Sequence, residues 1–360
     1  MTKSITQPPW VAMAVRRERC AAAYPSGATR SRAWIFAAVS RTNATWCAAI
    51  IRTSPSVFRE VGGFDLDTIP RTAPLAAPAL PAVIPMVFHC ASRKGAFAPP
   101  VAALSLYQLF RRRSGHLRFD TREAMLEGFG LGTNTRIVLS GTDHDPSIEG
   151  WWKLSDDRRK VIQRLRAMGI AMATTPNYSL FIDQPRWDNL HAMKRIGLVH
   201  EEFLSEKLPA ALHVNARSET DIHRWTNYVG DRSEVTHVAY EFSTGTGWAG
   251  RQEVHADWLA GMARAVGRPL HLIVRGGLSV LPILARSFAQ VSVIETSIFM
   301  KTIKRQRALM DDTGALVWQP ALTPAGAPLD RMLAENYRIV ESFLRPIAQP
   351  ASAGKRAAKG

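Results

Sequence analysis

A repeated succession of apolar runs and amphipathic stretches constrains the fold of this chain more than any other feature. The apolar runs have the length of buried strands, and most are followed by a stretch with helical periodicity. Such a series is typical of a parallel sheet, because each parallel strand needs a crossover connection. The runs are Met86–Cys90, Arg136–Ser140, Ile170–Thr174, Ala210–Val214, Val235–Phe242, Leu270–Val274 and Val291–Ile294.

This number of strands in series favours a closed sheet. We expect an α/β fold, namely a parallel (β/α) barrel of the TIM type over residues 84–308, rather than an open doubly wound sheet. No G-x-G-x-x-G follows the early strands, so a dinucleotide-binding Rossmann sheet has no motif to support it. An eighth strand could come from Leu117–Phe119 or from Leu316–Gln319, and an incomplete barrel is the alternative.

Capping residues indicate where several helices begin and end. Asp156–Met168 has one apolar stripe, with Arg158 among the arginines expected to face away from it. Ser155 is its predicted N-cap, and Gly169 is expected to end the helix. Ser218–Asp221 has the spacing of a capping box and predicts the start of another helix.

Positive charge is concentrated at the two ends of the chain. Of the net charge of +16, residues 1–59 contribute +8 and residues 345–360 contribute +4, which leaves +4 for the body. Residues 1–80 have no sustained periodicity, so we expect a disordered basic extension, or a stretch upstream of the true start, ending in a Pro/Ala linker. We expect residues 309–345 to pack on the barrel as a hairpin and helix, and residues 346–360 to form a disordered basic tail.

Cysteine content and hydropathy indicate the cellular compartment. The three cysteines form no C-x-x-C pair, which argues against a disulfide framework and a cysteine-based zinc site. No run of 18 apolar residues is present, so we expect neither a membrane span nor a membrane partner. These features predict a cytoplasmic protein, and no motif singles out a cofactor.

Strand alternation predicts a polar cluster at one end of the barrel. In three neighbouring strands, the residues that alternate with the core-facing ones become polar toward the carboxyl end of the strand. Catalytic groups of a barrel gather at this C-terminal mouth. The predicted catalytic residues are Glu241, Glu295, Asp143 and His213. The predicted substrate-binding residues are Arg217, Arg275, Asn177, Tyr178, Asn215 and Lys301.

The residue types in this cluster suggest acid/base chemistry on an anionic substrate. Two carboxylates could exchange protons, and two guanidinium groups could bind the anion. In the alternative interpretation, Arg217–Glu241 and Arg275–Glu295 are ion pairs that only tie adjacent strands together. Asn177 and Tyr178 could hold a planar ring over the mouth, or could instead close a turn and cap the core.

Three further features bear on the ligand. A metal alternative would use Asp143, His144, Asp145, His213 and Glu241, although no His-x-His ends an early strand, and we do not assign a metal. The glycine loops Gly245–Gly247 and Arg275–Gly277 could bind phosphate through backbone amides, or could be plain turns. The cationic run from Lys301 to Arg307 could line the mouth, or could form a solvated helix face.

The stretch after the fourth run resembles a family signature. Thr174-Thr-Pro-Asn-Tyr-Ser-Leu-Phe, Asp183 and Pro185, followed by Asn189, Lys194 and Arg195, resemble an uncharacterised domain family of bacterial and phage mobile elements. The likeness covers about residues 135–300 and is only architectural outside the signature. It implies a barrel-like fold and a mobile-element setting, without a mechanism.

Two functions are consistent with these patterns. The first is an enzyme that acts at the barrel mouth on a phosphorylated or nucleotide-like substrate through carboxylate acid/base chemistry. The alternative is an accessory protein of a mobile element that binds nucleic acid through its basic ends and catalyses no reaction.

Overall fold

The computed structural model describes residues 54–350, except residues 90–92, 94, 112–115, 244–249 and 325. The predicted basic extension before residue 54 and the tail from residue 351 lie outside the described residues. Ser54 begins the compact unit that contains the barrel. Within the described part of the chain, no helix has both the length and the hydropathy needed to cross a membrane.

Eight parallel strands form a nearly closed barrel, which confirms the predicted fold class. Each strand pairs with its successor from β2 to β8, and β1 pairs with β8. Between the facing ends of the sheet, Met86 and Ala103 form a parallel bridge, in which the Val87 amide donates to the Ala103 carbonyl at 2.9 Å. The strands are β1 (Val83–Pro85), β2 (Val101–Ser105), β3 (Arg136–Ser140), β4 (Ile170–Thr174), β5 (Ala210–His213), β6 (His237–Glu241), β7 (His271–Arg275) and β8 (Gln290–Glu295).

Ten α-helices lie in the described part of the chain, most of them outside the barrel between successive strands. They are α1 (Ser54–Glu60), α2 (Arg122–Gly128), α3 (Asp145–Trp152), α4 (Asp157–Ala167), α5 (Arg186–Ser205), α6 (Glu219–Gly230), α7 (Arg251–Val266), α8 (Leu281–Ser287), α9 (Ser297–Ile303) and α10 (Asp330–Ala348).

The core has two layers that follow strand alternation. An inner cluster fills the barrel with small and aliphatic side chains such as Ala103, Ala239 and Ile273. An outer cluster lies between the strands and the helices and includes Tyr240 and Phe242 from β6. Residues two apart therefore share a layer, which is why alternation can place side chains at the mouth.

The strand predictions failed at one edge of the barrel. The first strand is Val83–Pro85 rather than Met86–Cys90. The strand that was missing from the predicted series is β2 (Val101–Ser105), which lies in neither candidate segment. Leu117 forms only an isolated bridge with Phe110. Leu316–Gln319 belongs to an antiparallel hairpin of β9 (Gln306–Met310) and β10 (Leu316–Pro320) outside the barrel. No described residue of the connection from β1 to β2 is helical, so the strand–helix series is interrupted there.

The C-terminal helix fills the position that this missing helix leaves open. The apolar side of α10 packs against β1, β8 and the neighbouring helices α8 and α9. Buried Asn336 joins α10 to the hairpin, because its Oδ1 accepts from the Ala308 amide and its Nδ2 donates to the Gln306 carbonyl. The 2.8 and 2.9 Å bonds satisfy backbone groups on the free edge of β9.

Residues 54–80 pack against the barrel and do not form the free linker that their composition suggested. Buried Lys194 of α5 donates hydrogen bonds to the Asp65 carbonyl and the Thr68 hydroxyl. Leu80 belongs to the inner cluster and covers the end of the barrel where the strands begin. The segment therefore contributes to the core, despite its high Pro and Ala content.

Several predicted helix boundaries are confirmed. Gly169 follows α4 with a positive φ angle of 72°. Ser218 and Asp221 form the capping box of α6. Two details were wrong: Ser155 has a φ of 48° in the turn before α4 and is not its N-cap, and Arg158 is buried against Glu202 of α5, with bonds of 2.7 and 2.8 Å.

Candidate functional site

Three predicted residues meet on the inner face at the C-terminal mouth. His213, Glu241 and Arg275 each lie two residues beyond an inner-cluster residue of the same strand, namely Ala211, Ala239 and Ile273. They occupy the ends of three consecutive strands, and Glu241 is the register partner of Arg275. The core of this candidate site therefore combines a carboxylate, an imidazole and a guanidinium group.

The carboxylate of Glu241 is buried and only partly satisfied. Its Oε1 accepts from the Ser243 amide at 2.7 Å, and its Oε2 lies 3.5 Å from Nε of Arg275. Neither Oε2 nor this Nε has a hydrogen-bond partner among the described residues. Burial raises the pKa of Glu241, although Arg275 and hydrogen bonds from the Ser243 amide and side chain act in the opposite direction. A carboxyl group with a raised pKa is suited to proton transfer near neutral pH.

Arg275 provides the accessible positive charge beside this carboxyl group. Its side chain is 27% exposed, whereas that of Glu241 is 2% exposed. The ion pair predicted between Arg275 and Glu295 is not formed, and Arg275 lies next to Glu241 instead. A partly exposed guanidinium group is suited to binding an anion.

His213 is held as a neutral imidazole with a defined tautomer. Its Nδ1 lies 2.5 Å from the Thr175 carbonyl, which can only accept, so Nδ1 carries the proton. Nε2 then presents a lone pair, which faces the Thr142 hydroxyl at 3.4 Å. The pKa of His213 is lowered to about 4, mainly by burial and also by nearby Arg275, while the Thr175 hydrogen bond acts in the opposite direction. His213 is therefore better suited to accept a hydrogen bond than to act as a catalytic base.

A second polar group lies over β2 and β3, on the other side of the mouth. Asp143 accepts from the Ser105 hydroxyl at 3.0 Å and from the His144 amide at 2.8 Å. Thr142, which contacts His213, precedes Asp143 in the chain and links the two groups. Asp143 thus lies near the predicted site, but its carboxylate already has two donors in this arrangement.

Glu295 does not belong to the predicted cluster. Val291 and Val293, which share its side of β8, lie in the outer layer, whereas Ile294 lies in the inner cluster. The Glu295 carboxylate accepts from the Ser297 amide at 2.6 Å, at the first residue of α9. Its carboxylate thus satisfies a helix N-terminus, and the structure does not place it on the inner face with Glu241.

Asn215 and Arg217 also turn away from the mouth. β5 ends at His213, and beyond that residue the loop sets side-chain direction. Nδ2 of Asn215 donates to the Tyr178 carbonyl at 3.0 Å, and Nε of Arg217 donates to the Leu180 carbonyl at 2.9 Å. Both residues therefore support the loop after β4, and the predicted Arg217–Glu241 ion pair is not formed.

Tyr178 does not offer the stacking face that we expected. Its ring is fully buried, with the Arg195 guanidinium 4.0 Å from the ring centroid and Trp152 in an edge-to-face contact. The backbone N–H of Asn177 donates to the Gly141 carbonyl at 3.0 Å. The buried side-chain Oδ1 of Asn177 has no partner among the described residues. Tyr178 acts as a core residue, which was the architectural alternative.

The family-like signature after β4 forms a structural assembly. Asn189 accepts from the Phe181 amide at 2.9 Å and donates to the Phe181 carbonyl at 2.7 Å, which fixes the loop. Arg195 contacts the Tyr178 ring and bonds Glu149 of α3 at 2.8 Å. Together with the bonds of Lys194 to residues 65–68, these contacts show that the signature residues of α5 hold neighbouring segments together.

The remaining ligand-binding predictions have a weaker structural basis. Lys301 lies in the last turn of α9 and forms no ion pair within the described part of the chain. A Cβ on Gly276 or Gly277 would approach Ser243 or Phe242 within 2.6 Å, so this glycine pair is needed for close packing against β6. Gly245–Gly247 lies outside the described residues.

One cleft lies away from the mouth, and the described residues contain no metal-ligand cluster. A cleft of 620 Å³ lies on the flank of the barrel between Arg93 and α2, and its lining includes neither Glu241 nor Arg275. The described residues contain no group of three or more His, Cys, Asp or Glu side chains positioned to hold a metal ion. The candidate site is therefore identified by its polar atoms, and not by this cleft.

Sequence reasoning missed the hydroxyl groups of the site. Ser105 ends β2, which was not predicted as a strand, and Thr142 follows the end of β3. Thr175 follows β4, and its carbonyl fixes the tautomer of His213. All three lie within two residues of a strand's carboxyl end, so extending the rule of polar strand ends to hydroxyl residues would have found them.

Comparisons with known proteins provide no relative from which a function could be transferred. No family model matches the chain, and no curated protein matches its sequence.

Proposed function

We propose that this protein is an enzyme that acts at the barrel mouth on a small anionic substrate. Arg275 would bind the anionic group, and Glu241 would transfer a proton to or from the neighbouring atom. Phosphorylated and nucleotide-like compounds belong to this substrate class. The observation that supports the proposal is the buried Oε2 of Glu241, which lies 3.5 Å from Arg275 Nε without a hydrogen bond to either atom from the described residues.

The geometry of the Glu241–Arg275 pair fits a functional role better than a purely structural one. A structural ion pair at this depth would be expected to form direct hydrogen bonds, because leaving charged buried atoms unsatisfied destabilises the fold. Elsewhere in this protein, Arg158 and Glu202 form such a pair with two short bonds. The looser pair at the mouth is suited to substrate binding because an anion could take up the free donors of Arg275.

A turnover screen with matched variants tests the proposed activity. The full chain is incubated with pooled phosphorylated metabolites and nucleotides, and substrate loss is followed by mass spectrometry. Glu241→Gln is expected to reduce turnover by at least a hundredfold, as for loss of a general acid or base. The control Glu127→Gln changes an exposed glutamate on α2 and should leave turnover unchanged. Turnover that persists in Glu241→Gln would refute the assignment of Glu241.

The rival function is nucleic-acid binding by the basic ends in a mobile-element setting. The charge distribution favours it, because residues 1–53 carry +7 and residues 351–360 carry +3. DNA and RNA binding would be titrated with salt for the full chain and for residues 54–350, which leaves α1 and α10 intact. Binding that depends on these ends, with no effect of Glu241→Gln or Arg275→Gln in any assay, would favour the rival.

A further inference from the structure

The imidazole of His213 indicates a property of the substrate that the anion site alone does not indicate. A carbonyl oxygen accepts hydrogen bonds and cannot donate them, so the 2.5 Å contact with Thr175 assigns the proton to Nδ1. The His213 amide is held in addition by the Thr175 hydroxyl at 2.9 Å. Ring and backbone are thus both fixed by the same residue, and Nε2 is left as a hydrogen-bond acceptor on the inner face of the barrel.

The present partner of Nε2 indicates which donor suits this position. The Thr142 hydroxyl lies 3.4 Å away, which is longer than the 2.7–3.2 Å range of well-formed hydrogen bonds. A hydroxyl group therefore already occupies the direction from which Nε2 is approached, but it forms only a weak contact. A substrate hydroxyl at normal distance would improve on this contact. A charged anionic oxygen would not, since it has no proton to donate.

We propose that the substrate is a hydroxylated anion, in which Arg275 binds the anionic group and His213 Nε2 accepts a hydrogen bond from the hydroxyl. This inference rests on the proposed function, because it takes the anion to bind at Arg275. His213 is then a specificity residue that distinguishes a hydroxylated substrate from its deoxy analogue. A site whose acceptor has only a weak partner discriminates in this way, because the deoxy analogue leaves Nε2 with no more than its long contact to Thr142.

A matched pair of ligands tests this selectivity. The probes are 2-hydroxyethyl phosphate and ethyl phosphate, which differ by one hydroxyl group, and their dissociation constants are measured by calorimetry on the full chain. We expect the hydroxylated probe to bind about fivefold more tightly, the value of one ordinary net hydrogen bond. Arg275→Gln should weaken both probes, whereas Arg286→Gln, which changes an exposed arginine on α8, should weaken neither.

Two substitutions of His213 separate the roles of its nitrogens. In His213→Asn the side-chain amide can still donate to the Thr175 carbonyl but leaves no acceptor at the position of Nε2, so the preference for the hydroxylated probe should be lost. In His213→Gln the longer side chain can return an acceptor to that position and should restore part of the preference. Equal binding of the two probes to the wild-type chain would overturn this inference and leave the anion site intact. Failure of both to bind would overturn the proposed function as well.

A measurement on the unmodified side chain covers the case in which the His213 variants do not fold. Nitrogen-15 NMR of histidine-labelled protein at pH 7 should show His213 as a neutral ring with the proton on Nδ1. On addition of 2-hydroxyethyl phosphate, the Nε2 resonance should shift, and it should shift less with ethyl phosphate. A proton on Nε2, or a doubly protonated ring, would overturn the inference.

Discussion

His200 allows the energetic consequence of burial to be tested away from the candidate site. It lies on α5 with 1% of its surface exposed, and its Nε2 contacts the Ala210 carbonyl at 3.3 Å. Burial lowers its pKa from 6.5 to about 4, although the contact with Ala210 acts in the opposite direction. Between these two pH values, the folded chain binds fewer protons at this position than the unfolded chain.

The stabilising contribution of neutral His200 is complete above pH 6.5 and is lost as the pH falls toward 4. At pH 5.0, the loss is about 2 kcal/mol, since one pH unit between the two pKa values corresponds to about 1.4 kcal/mol. This is a large share of the roughly 5–15 kcal/mol that stabilises a typical domain.

Urea unfolding at pH 7.5, 6.5, 5.5 and 5.0 measures this contribution. In His200→Gln the side chain does not titrate, so the unfolding free energy of wild type relative to this variant should fall by about 2 kcal/mol between pH 7.5 and 5.0. The control His223→Gln changes an exposed imidazole on α6 and should follow the wild type, because it leaves His200 in place. A difference between wild type and His200→Gln that stays constant over this range would refute the reasoning.

Three further predictions concern the mouth, the loop after β4 and the hairpin. Glu241→Gln should have a melting temperature at least as high as that of the wild type at pH 8. On acidification to pH 5, its stability should rise less than that of the wild type. The raised pKa of Glu241 means that its stabilising contribution is present below the unfolded pKa and is lost as pH rises through the folded pKa; calorimetry at both pH values checks this. Asn189→Ala removes two bonds to Phe181 and should lower the unfolding free energy by about 1–3 kcal/mol in urea. Asn336→Leu should leave the edge of β9 unsatisfied, which would be measured as faster amide exchange at Ala308.

The barrel could be predicted where strand and helix alternate, and the prediction failed where this alternation is broken. β2, with the sequence Val-Ala-Ala-Leu-Ser, is buried on both faces and has no polar alternation to mark it as a strand. It also follows β1 with no helix among the described residues between them, and α10 from the far end of the chain packs there. A local pattern cannot indicate a helix that is supplied from more than 200 residues away.

The candidate site was predictable as far as its side chains remain within the sheet. His213, Glu241 and Arg275 are the last residues of their strands, so alternation placed them correctly on the inner face. For Asn215 and Arg217 the same rule was extended past the end of β5, where the backbone no longer alternates. Glu295 is still within β8, but its side of the strand is the outer one, which the valines preceding it would have indicated.

Substitutions of Tyr178 test whether the signature residues have a structural role or belong to the site. Its ring is packed between Arg195 and Trp152, and its buried hydroxyl has no hydrogen-bond partner among the described residues. Tyr178→Phe keeps the ring contacts and removes this unsatisfied group, so the unfolding free energy should stay equal or rise by up to about 1 kcal/mol. Tyr178→Ala leaves a cavity under the loop and should lower the unfolding free energy by about 3–5 kcal/mol.

Urea unfolding and ethyl phosphate binding, measured on the same samples, separate the two roles. An architectural Tyr178 predicts that Tyr178→Phe binds ethyl phosphate as tightly as the wild type, because the hydroxyl lies in the core and has no exposed surface. Weaker binding by a Tyr178→Phe protein that unfolds at the wild-type urea concentration would contradict this. It would mean that the hydroxyl reaches the ligand in the bound state, so that the loop after β4 belongs to the site and does more than support it.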